Sequence, residues 1–488
     1  MSKTTTLVKN TIIIALGKIS TQFLNFLLLP LYTAYLAAAE FGVVDLVTVV
    51  VSLVAPVVML SLEMAVFRFL IDGRGHHKQQ ARVITNALQL MGSSMLLAGV
   101  LFVLVMQWVA VPYGWLALGA VVAAVASNFC LQVARGFGNN TQYAIGSMVA
   151  GATIVVLNIV FIAVLKMGAT GMLLATVISN GVSALYLITT LKIPQYIDLS
   201  LCDGDTRKEL LHYALPLIPN NISWWVVNAA DRMIIAALLG VTANGIYAVA
   251  YKFPQVFTAV YNFFGLSWAE SASIHIRSKD RDAFFSKVAN MSVRVFGSFG
   301  VVLIVGVSVF FNILVGAHYS EARLYIPLLL IGSFFSAIVG VYSAIYIAKK
   351  RTKQVLYTSL VAAGISIGLS VVLIPIIGLY GPAVAMIAAY LGMAIFRHLD
   401  IKKSINITYD RTAVGSVALL YALAIGLYYI NSPYATIANV VISSAGVIAI
   451  NRHTLRALQQ TLFRKMKGLK QKQADKLAQA WEVDRGAE

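Results

Sequence analysis

Long apolar segments separated by short polar ones repeat along almost the whole chain. The hydrocarbon core of a bilayer is about 30 Å thick, so a helix needs about 20 apolar residues to cross it. A crossing segment must also satisfy its own backbone hydrogen bonds, which a helix does within itself. The pattern therefore predicts an all-α polytopic membrane protein.

Fourteen segments meet this length requirement, so about 14 transmembrane helices are expected. Hydrophobic residues make up 59% of the chain and charged residues 11%, whereas a soluble domain has about a quarter charged residues. This composition excludes a soluble enzyme, a disordered protein and a disulfide-rich secreted scaffold. The predicted spans are residues 10–37, 41–68, 83–109, 115–135, 146–166, 170–192, 212–239, 243–270, 291–315, 324–347, 355–376, 380–398, 411–430 and 434–451.

Basic residues fall almost entirely on alternate loops and account for the net charge of +18. Residues 277–294, 349–353 and the tail from 452 are rich in Lys and Arg, whereas the opposite loops carry only Lys166 and Arg323. By the positive-inside rule, both termini are predicted to be cytoplasmic. The charge therefore indicates topology, and no nucleic-acid partner is expected.

Motifs for covalent or metal chemistry are missing from the sequence. Cys130 and Cys202 lie far apart and form no CxxC pair, and no P-loop, HExxH or nucleophile motif occurs. We expect no cofactor, no metal, no catalytic residue and no enzymatic activity.

Three weak internal correspondences share a similar offset. Gly42 after Glu40-Phe41 matches Gly245 at an offset of 203 residues, Arg135 matches Lys349 at 214, and Gly168 matches Gly378 at 210. Together they predict two parallel six-helix lobes followed by two C-terminal helices. The predicted domains are an N-terminal lobe 1–195, a cytoplasmic linker 196–211, a C-terminal lobe 212–403, spans 13 and 14 in 404–451, and a basic cytoplasmic tail 452–488.

Five of the charged residues within predicted spans are candidate site residues, namely the cations Lys18, Arg232 and Lys252 and the acids Asp45 and Asp231. A charge near the bilayer centre costs about 2.5–3.5 kcal/mol, so it usually faces a cavity or a partner. An excess of cations favours an anionic substrate. Two alternatives stay open: Asp231 could neutralise Arg232, and Lys252 could bind backbone freed beside Pro254.

The spans that carry these charges also carry asparagines and prolines. Asn25 and Asn228 could contact sugar hydroxyls or could hold helices together. Pro30, Pro216, Pro219 and Pro254 are candidate hinges, since proline removes a backbone donor.

Two further features lie near predicted membrane boundaries. Glu63 is expected to pair with Arg68 at a helix end. Leucines spaced by three and four residues in the basic tail are typical of an interfacial amphipathic helix on membrane lipids, or of a solvated tail.

The second half of the chain opens with a more specific pattern. It contains Leu215-Pro216-Leu217-Ile218-Pro219, then Asp231-Arg232, then Gly245-Ile246-Tyr247-Ala248-Val249-Ala250-Tyr251-Lys252-Phe253-Pro254. This sequence resembles the polysaccharide repeat-unit flippases, the O-antigen type or Wzx-like branch of the multidrug/oligosaccharidyl-lipid/polysaccharide exporter superfamily.

The resemblance implies a flippase of the bacterial inner membrane. Such a protein moves an undecaprenyl-diphosphate-linked oligosaccharide from the cytoplasmic to the periplasmic leaflet by alternating access, for O-antigen or other surface polysaccharide assembly. Lys18, Arg232 and Lys252 would hold the diphosphate, and Asp45 and Asp231 would couple transport to protons or sodium ions. A polysaccharide polymerase and a chain-length regulator are the implied protein partners.

Two rivals share the same fold. A drug/cation antiporter usually has an acidic cavity, which the buried cations disfavour, whereas a peptidoglycan lipid-precursor flippase also carries an anionic lipid. A glycosyltransferase or polymerase would need large external loops, and the loops here are short.

Overall fold

A computed structural model describes residues 26–452 and Arg456. Most of the first predicted span and the basic tail therefore lie outside the described residues. Within the described part, the chain forms sixteen α-helices and no β-strand. The helices are α1 Leu29–Tyr35, α2 Ala38–Val58, α3 Leu62–Asp72, α4 His77–Trp108, α5 Gly114–Gly136, α6 Asn140–Asn158, α7 Gly168–Thr190, α8 Gly204–Ala214, α9 Leu217–Leu239, α10 Val241–His275, α11 Arg281–Leu314, α12 Ile326–Ala348, α13 Thr352–Ile377, α14 Tyr380–Lys402, α15 Arg411–Ile430 and α16 Pro433–Arg452.

Eleven helices of the described chain are long and apolar enough to cross a membrane. The predicted all-α membrane architecture is thereby confirmed. Helices α9 and α10 have 23 and 35 residues, which is also enough to cross, but they carry the charged and polar residues discussed below. The count of fourteen spans and the position of the termini stay predictions.

The second predicted span, 41–68, is not one helix. Helix α2 ends at Val58, and Leu60 and Ser61 adopt left-handed φ angles of +54° and +52° before α3 begins. Pro56 contributes to this break because it cannot donate a backbone hydrogen bond. The Ser94 hydroxyl of α4 donates to the Val58 carbonyl at 2.6 Å. A neighbouring helix therefore supplies a hydrogen bond to a backbone carbonyl at the break.

The predicted linker, residues 196–211, is hydrogen-bonded to α4. The buried Asn86 side chain donates to the Leu201 carbonyl and accepts from the Asp203 N–H, both at 2.9 Å. Asp203 in turn caps α8 by accepting from the N–H of Thr206. Hydrogen bonds from the Thr206 hydroxyl and from the N–H groups of Thr206 and Asp205, together with the nearby Arg82, lower the pKa of Asp203 to about 2.

The chain divides into two compact units. One contains the residues up to 281 together with 310–405, and the other contains 282–309 together with the residues from 406 onward. In the second unit, Arg294 pairs with Asp410, which also caps α15, and the Asn451 amide donates to Ser298 at 2.6 Å. The division into lobes 1–195 and 212–403 remains a prediction.

Helices α2 and α10 of the first unit meet backbone to backbone at Gly42 and Gly245. A Cβ atom on Gly42 would lie 1.9 Å from the Val241 carbonyl oxygen, and one on Gly245 would lie 1.9 Å from the Ala38 oxygen. Each glycine thus faces the carbonyl four residues before the other glycine. This reciprocal contact involves the pair of positions that the internal repeat aligns, and small residues are what allow membrane helices to approach so closely.

Replacing Gly42 or Gly245 with Ala should destabilise the fold by at least about 2 kcal/mol, because the added methyl meets rigid backbone. The measurement is thermal or denaturant unfolding of the purified protein in detergent. Gly181→Ala in α7 is the matched control, since nothing lies within 4 Å of that position. Equal stability of all three variants would contradict the close contact.

Candidate functional site

A buried ion pair joins helices α2 and α9 of the first unit. Nε of Arg232 in α9 lies 3.1 Å from Oδ2 of Asp45 in α2, and the two side chains are 6% and 15% exposed. Of these two helices, α2 is among the eleven that are long and apolar enough to cross a membrane. Asp231 lies next to Arg232 in the same helix, so one cation and two acids are concentrated at this point.

The register of α9 against α2 places Arg232 opposite Asp45. The Trp225 indole N–H donates to the Val49 carbonyl at 2.9 Å, and the Asn221 amide donates to the Ser61 hydroxyl at 3.1 Å. The α9 residues Asn221, Trp225 and Arg232 recur at helical spacing, so they share one face. Their partners run the opposite way along α2 and its break, which makes the two helices antiparallel here.

Helix α10 completes the cluster with one polar and two aromatic side chains. The Tyr247 hydroxyl donates to Oδ2 of Asp231 at 2.8 Å, and the Arg232 guanidinium lies 4.2 Å from the centre of the Tyr251 ring. Asn244 is fully buried and donates to the Gly42 carbonyl at 3.0 Å and to Asp45 at 3.3 Å. Positions 244, 247 and 251 are three and four residues apart, so they form one helix face.

Lys252 lies beside this cluster and is half-buried. Its Nζ is 5.9 Å from the Phe41 ring centre, and it interacts electrostatically with both Asp45 and Arg232. Asp45, Asp231, Arg232 and Lys252 carry two charges of each sign, so the described part of the cluster is formally neutral. Any anion that binds here must compete with the two carboxylates for the cations.

The structure brings together four of the residues that the sequence singled out: Asp45, Asp231, Arg232 and Lys252. Arg232 is not an unshared cation, since it pairs with Asp45. Lys18, Asn25 and the side chain of Asn228 lie outside the described residues.

The four candidate hinge prolines are not equivalent. Pro30 lies in the first turn of α1, Pro216 caps α9 and Pro219 lies in its first turn. The first four N–H groups of a helix have no intrahelical acceptor, so these three prolines remove no hydrogen bond. Pro254 lies inside α10 and does remove one.

Sequence reasoning missed two features away from the cluster. Arg68 pairs with Asp72 and not with Glu63, whose buried Oε2 has no hydrogen-bond partner among the described residues. Arg397, near the end of the predicted span 380–398, is 1% exposed inside α14. Its guanidinium donates to neutral groups of α12 and α13, including the Val339 carbonyl at 3.2 Å and the Thr358 hydroxyl at 2.6 Å.

Asn244, Tyr247 and Tyr251 were also not identified as site residues. Their regular spacing is visible in the sequence, but only the structure shows that this face meets Asp45, Asp231 and Arg232. Among residues 26–452, no group of three His, Cys, Asp or Glu side chains is arranged to hold a metal ion.

One protein-family model matches more than half of the chain. The family model described as "Polysaccharide biosynthesis protein" matches residues 7–269. No curated protein sequence matches the chain.

Two solved structures show the fold. An inward-facing multidrug resistance MATE family transporter of the MOP superfamily has a TM-score of 0.64 at 15% identity, covering 80% of this chain and 98% of its own. The lipid II flippase MurJ in an inward closed conformation has a TM-score of 0.62 at 14% identity, covering 92% of this chain and 99% of its own. The resemblance seen in the sequence is confirmed, and the fold is that of membrane transporters and flippases, not of an enzyme.

A double-mutant cycle should reveal the Asp45–Arg232 pair. Asp45→Asn and Arg232→Gln should each cost about 2–3 kcal/mol because each leaves a buried charge short of a partner. We expect the double variant to cost less than the sum, with a coupling energy of about 1–3 kcal/mol from unfolding in detergent. The exposed pair Arg68–Asp72 is the control cycle and should couple by under about 0.5 kcal/mol. Additive effects at Asp45 and Arg232 would rule out the pair.

Proposed function

We propose that this chain, which belongs to the polysaccharide biosynthesis protein family, is a flippase for an undecaprenyl-diphosphate-linked oligosaccharide repeat unit. It moves that lipid from the cytoplasmic to the periplasmic leaflet of the bacterial inner membrane by alternating access, and the glycan serves O-antigen or other surface polysaccharide assembly. The observation that carries the proposal is the pair of cations, Arg232 and Lys252, inside membrane-spanning helices.

A diphosphate headgroup suits these two cations. The planar Arg232 guanidinium can bind two phosphate oxygens at once, and the Lys252 ammonium supplies a mobile point charge. Tyr251 lies under the guanidinium and restricts its orientation. In the proposed cycle, Lys18 adds a third cation, while Asn25 and Asn228 contact the sugar.

Asp45 links substrate binding to ion movement in this proposal. The Asp45 carboxylate and the diphosphate compete for Arg232, so only one of them can hold the guanidinium at a time. Binding of the coupling ion at Asp45 releases Arg232 for substrate, and loss of that ion lets the carboxylate displace the substrate. Asp231 keeps the Tyr247 hydroxyl as a partner and holds Arg232 in place during the exchange. A sodium ion bound between the Asp45 and Asp231 carboxylates would, like a proton, neutralise negative charge that competes with the substrate for Arg232.

The remaining roles follow from the same cycle. Pro254 is the proposed bending point, because among the four candidate prolines it lies beyond the first turn of a described helix and removes a helical hydrogen bond. Pro30, Pro216 and Pro219 would let the helix starts turn. A polymerase and a chain-length regulator would take the exported glycan.

Deletion of the gene followed by mass spectrometry of extracted lipids tests the proposal. Accumulation of one defined undecaprenyl-diphosphate glycan would support it and identify the cargo. The rival with a supporting observation is a drug/cation antiporter, because a MATE family transporter shares the fold. Absence of a lipid-linked glycan together with sensitivity to cationic dyes would favour that rival.

In the same deletion strain, Arg232→Ala and Lys252→Ala should lower export at least about ten-fold, since each removes a charge-assisted contact to phosphate. Arg232→Glu should be worse than Arg232→Ala, because it repels the diphosphate as well. The measurement is the ratio of accumulated lipid-linked glycan to surface polysaccharide, at matched membrane levels of the protein.

Lys166→Ala is the matched control because it removes an exposed cation far from the cluster in sequence. Lys18→Ala should behave like Arg232→Ala. Wild-type export by all the variants of the three cations would overturn the cationic site.

Asp45→Asn should strengthen binding of undecaprenyl diphosphate, because the neutral amide no longer competes with the diphosphate for Arg232. The measurement is the affinity of the purified variant and of the wild type in the same buffer. Equal affinity of the two proteins would exclude competition by Asp45.

A further inference from the structure

A groove of about 500 Å³ lies between α13 and α14, and none of its lining residues belongs to the charged cluster. Its floor is formed by the small residues Ala362, Ala389 and Gly392, and its flanks include Tyr357 and Phe396. Tyr357 and Phe396 are 64% and 57% exposed. Because both helices are long and apolar enough to span a membrane, this exposed surface faces lipid.

The length of the groove matches one leaflet. Its lining on α13 extends from Gln354 to Ile365, which corresponds to about 16 Å along a helix. Half of a typical hydrocarbon core is about 15 Å. On α14 the lining runs in the opposite direction, from Phe396 back to Ala389. The groove can therefore hold one acyl chain lying along the membrane normal.

Positive charge is concentrated at the Gln354 end. Lys350, Arg351 and Lys353 are exposed on the turn that leads into α13. Behind the groove, the buried Arg397 guanidinium donates to Thr358, one of the few polar residues in the lining. The positive-inside pattern predicts that this end faces the cytoplasm, where anionic lipids attract basic residues near the surface.

The combination of a narrow apolar channel and a cationic end fits an amphiphile. A second protein copy would need an interface of about 1,000 Å² or more, and a flat apolar surface suits it better than a groove one chain wide. A lipid with an anionic headgroup beside the lysines and an acyl chain against the small residues would contact both parts of the groove at once.

We propose that the α13–α14 groove binds an anionic glycerophospholipid of the cytoplasmic leaflet. One acyl chain lies against Ala389 and Gly392, and the phosphate lies beside Lys350 and Lys353. This site is separate from the charged cluster, and it does not depend on which substrate the protein carries.

Native mass spectrometry of the purified full-length protein, titrated with phosphatidylglycerol or phosphatidylethanolamine, tests the site. One phosphatidylglycerol should bind at least ten-fold more tightly than phosphatidylethanolamine. The double variant Lys350→Ala, Lys353→Ala should weaken phosphatidylglycerol binding roughly five-fold for each lysine removed and change phosphatidylethanolamine binding little.

Gly392→Leu tests the chain-binding part of the groove. Nothing lies within 4 Å of a Cβ at Gly392, so the larger side chain fills the groove without disturbing the helices. It should weaken binding of both lipids at least ten-fold. Gly181→Leu in α7, where a Cβ also meets open space, is the matched control and should bind like the wild type.

Each other outcome would overturn the proposal. Equal affinity for the two lipids would contradict the proposed contact between the phosphate and the lysines. Unchanged lipid binding by Gly392→Leu would contradict the proposed position of the acyl chain. Undecaprenyl phosphate displacing phosphatidylglycerol at ten-fold lower concentration would assign the groove to an isoprenoid lipid. Because the readout is lipid binding, these results are independent of whether the protein exports a glycan.

Discussion

The centre of the first unit depends on the backbone contact between Gly42 and Gly245. Only because neither residue has a side chain can α2 and α10 approach closely enough for the Asn244 amide to reach the Gly42 carbonyl and Asp45. Asp45 is thereby held where α9 presents Arg232, and Tyr247 and Tyr251 on α10 enclose the remaining side of the pair. In a medium without water, this arrangement supplies the partners that the charges would otherwise lack.

The charged cluster is balanced, and this changes how an anion can be bound. A pocket with unpaired cations would attract a diphosphate strongly and release it slowly. In the described cluster, Asp45 already holds Arg232, so binding of the proposed diphosphate would be an exchange between two anions. Exchange lowers the net gain in free energy on binding, which suits a protein that must release its substrate on the other side of the membrane.

The sequence predicted the helical membrane architecture because hydropathy reports segment length directly. It also identified Asp45, Asp231, Arg232 and Lys252, because a charge in an apolar segment is visible without a structure. It could not predict that Asp45 meets Arg232, since that depends on how two helices far apart in the chain are rotated. The break at Leu60 and Ser61 was missed because the hydropathy pattern continues across it. The burial of Arg397 could not be predicted either, since its neutral acceptors on α12 and α13 come from other segments of the chain.

The reciprocal glycine contact also fixes where the helices can move least. If α10 tilts by about 10° around Gly245, its far end at His275, roughly 45 Å along the helix, shifts by about 8 Å. Asn244 and Tyr247 lie within two residues of Gly245 on the same helix, about 3 Å along its axis, and would be displaced by under about 1 Å. A small tilt of α10 about this crossing would therefore move its far end by several ångströms, while the side chains that contact Asp45 and Asp231 stay almost in place.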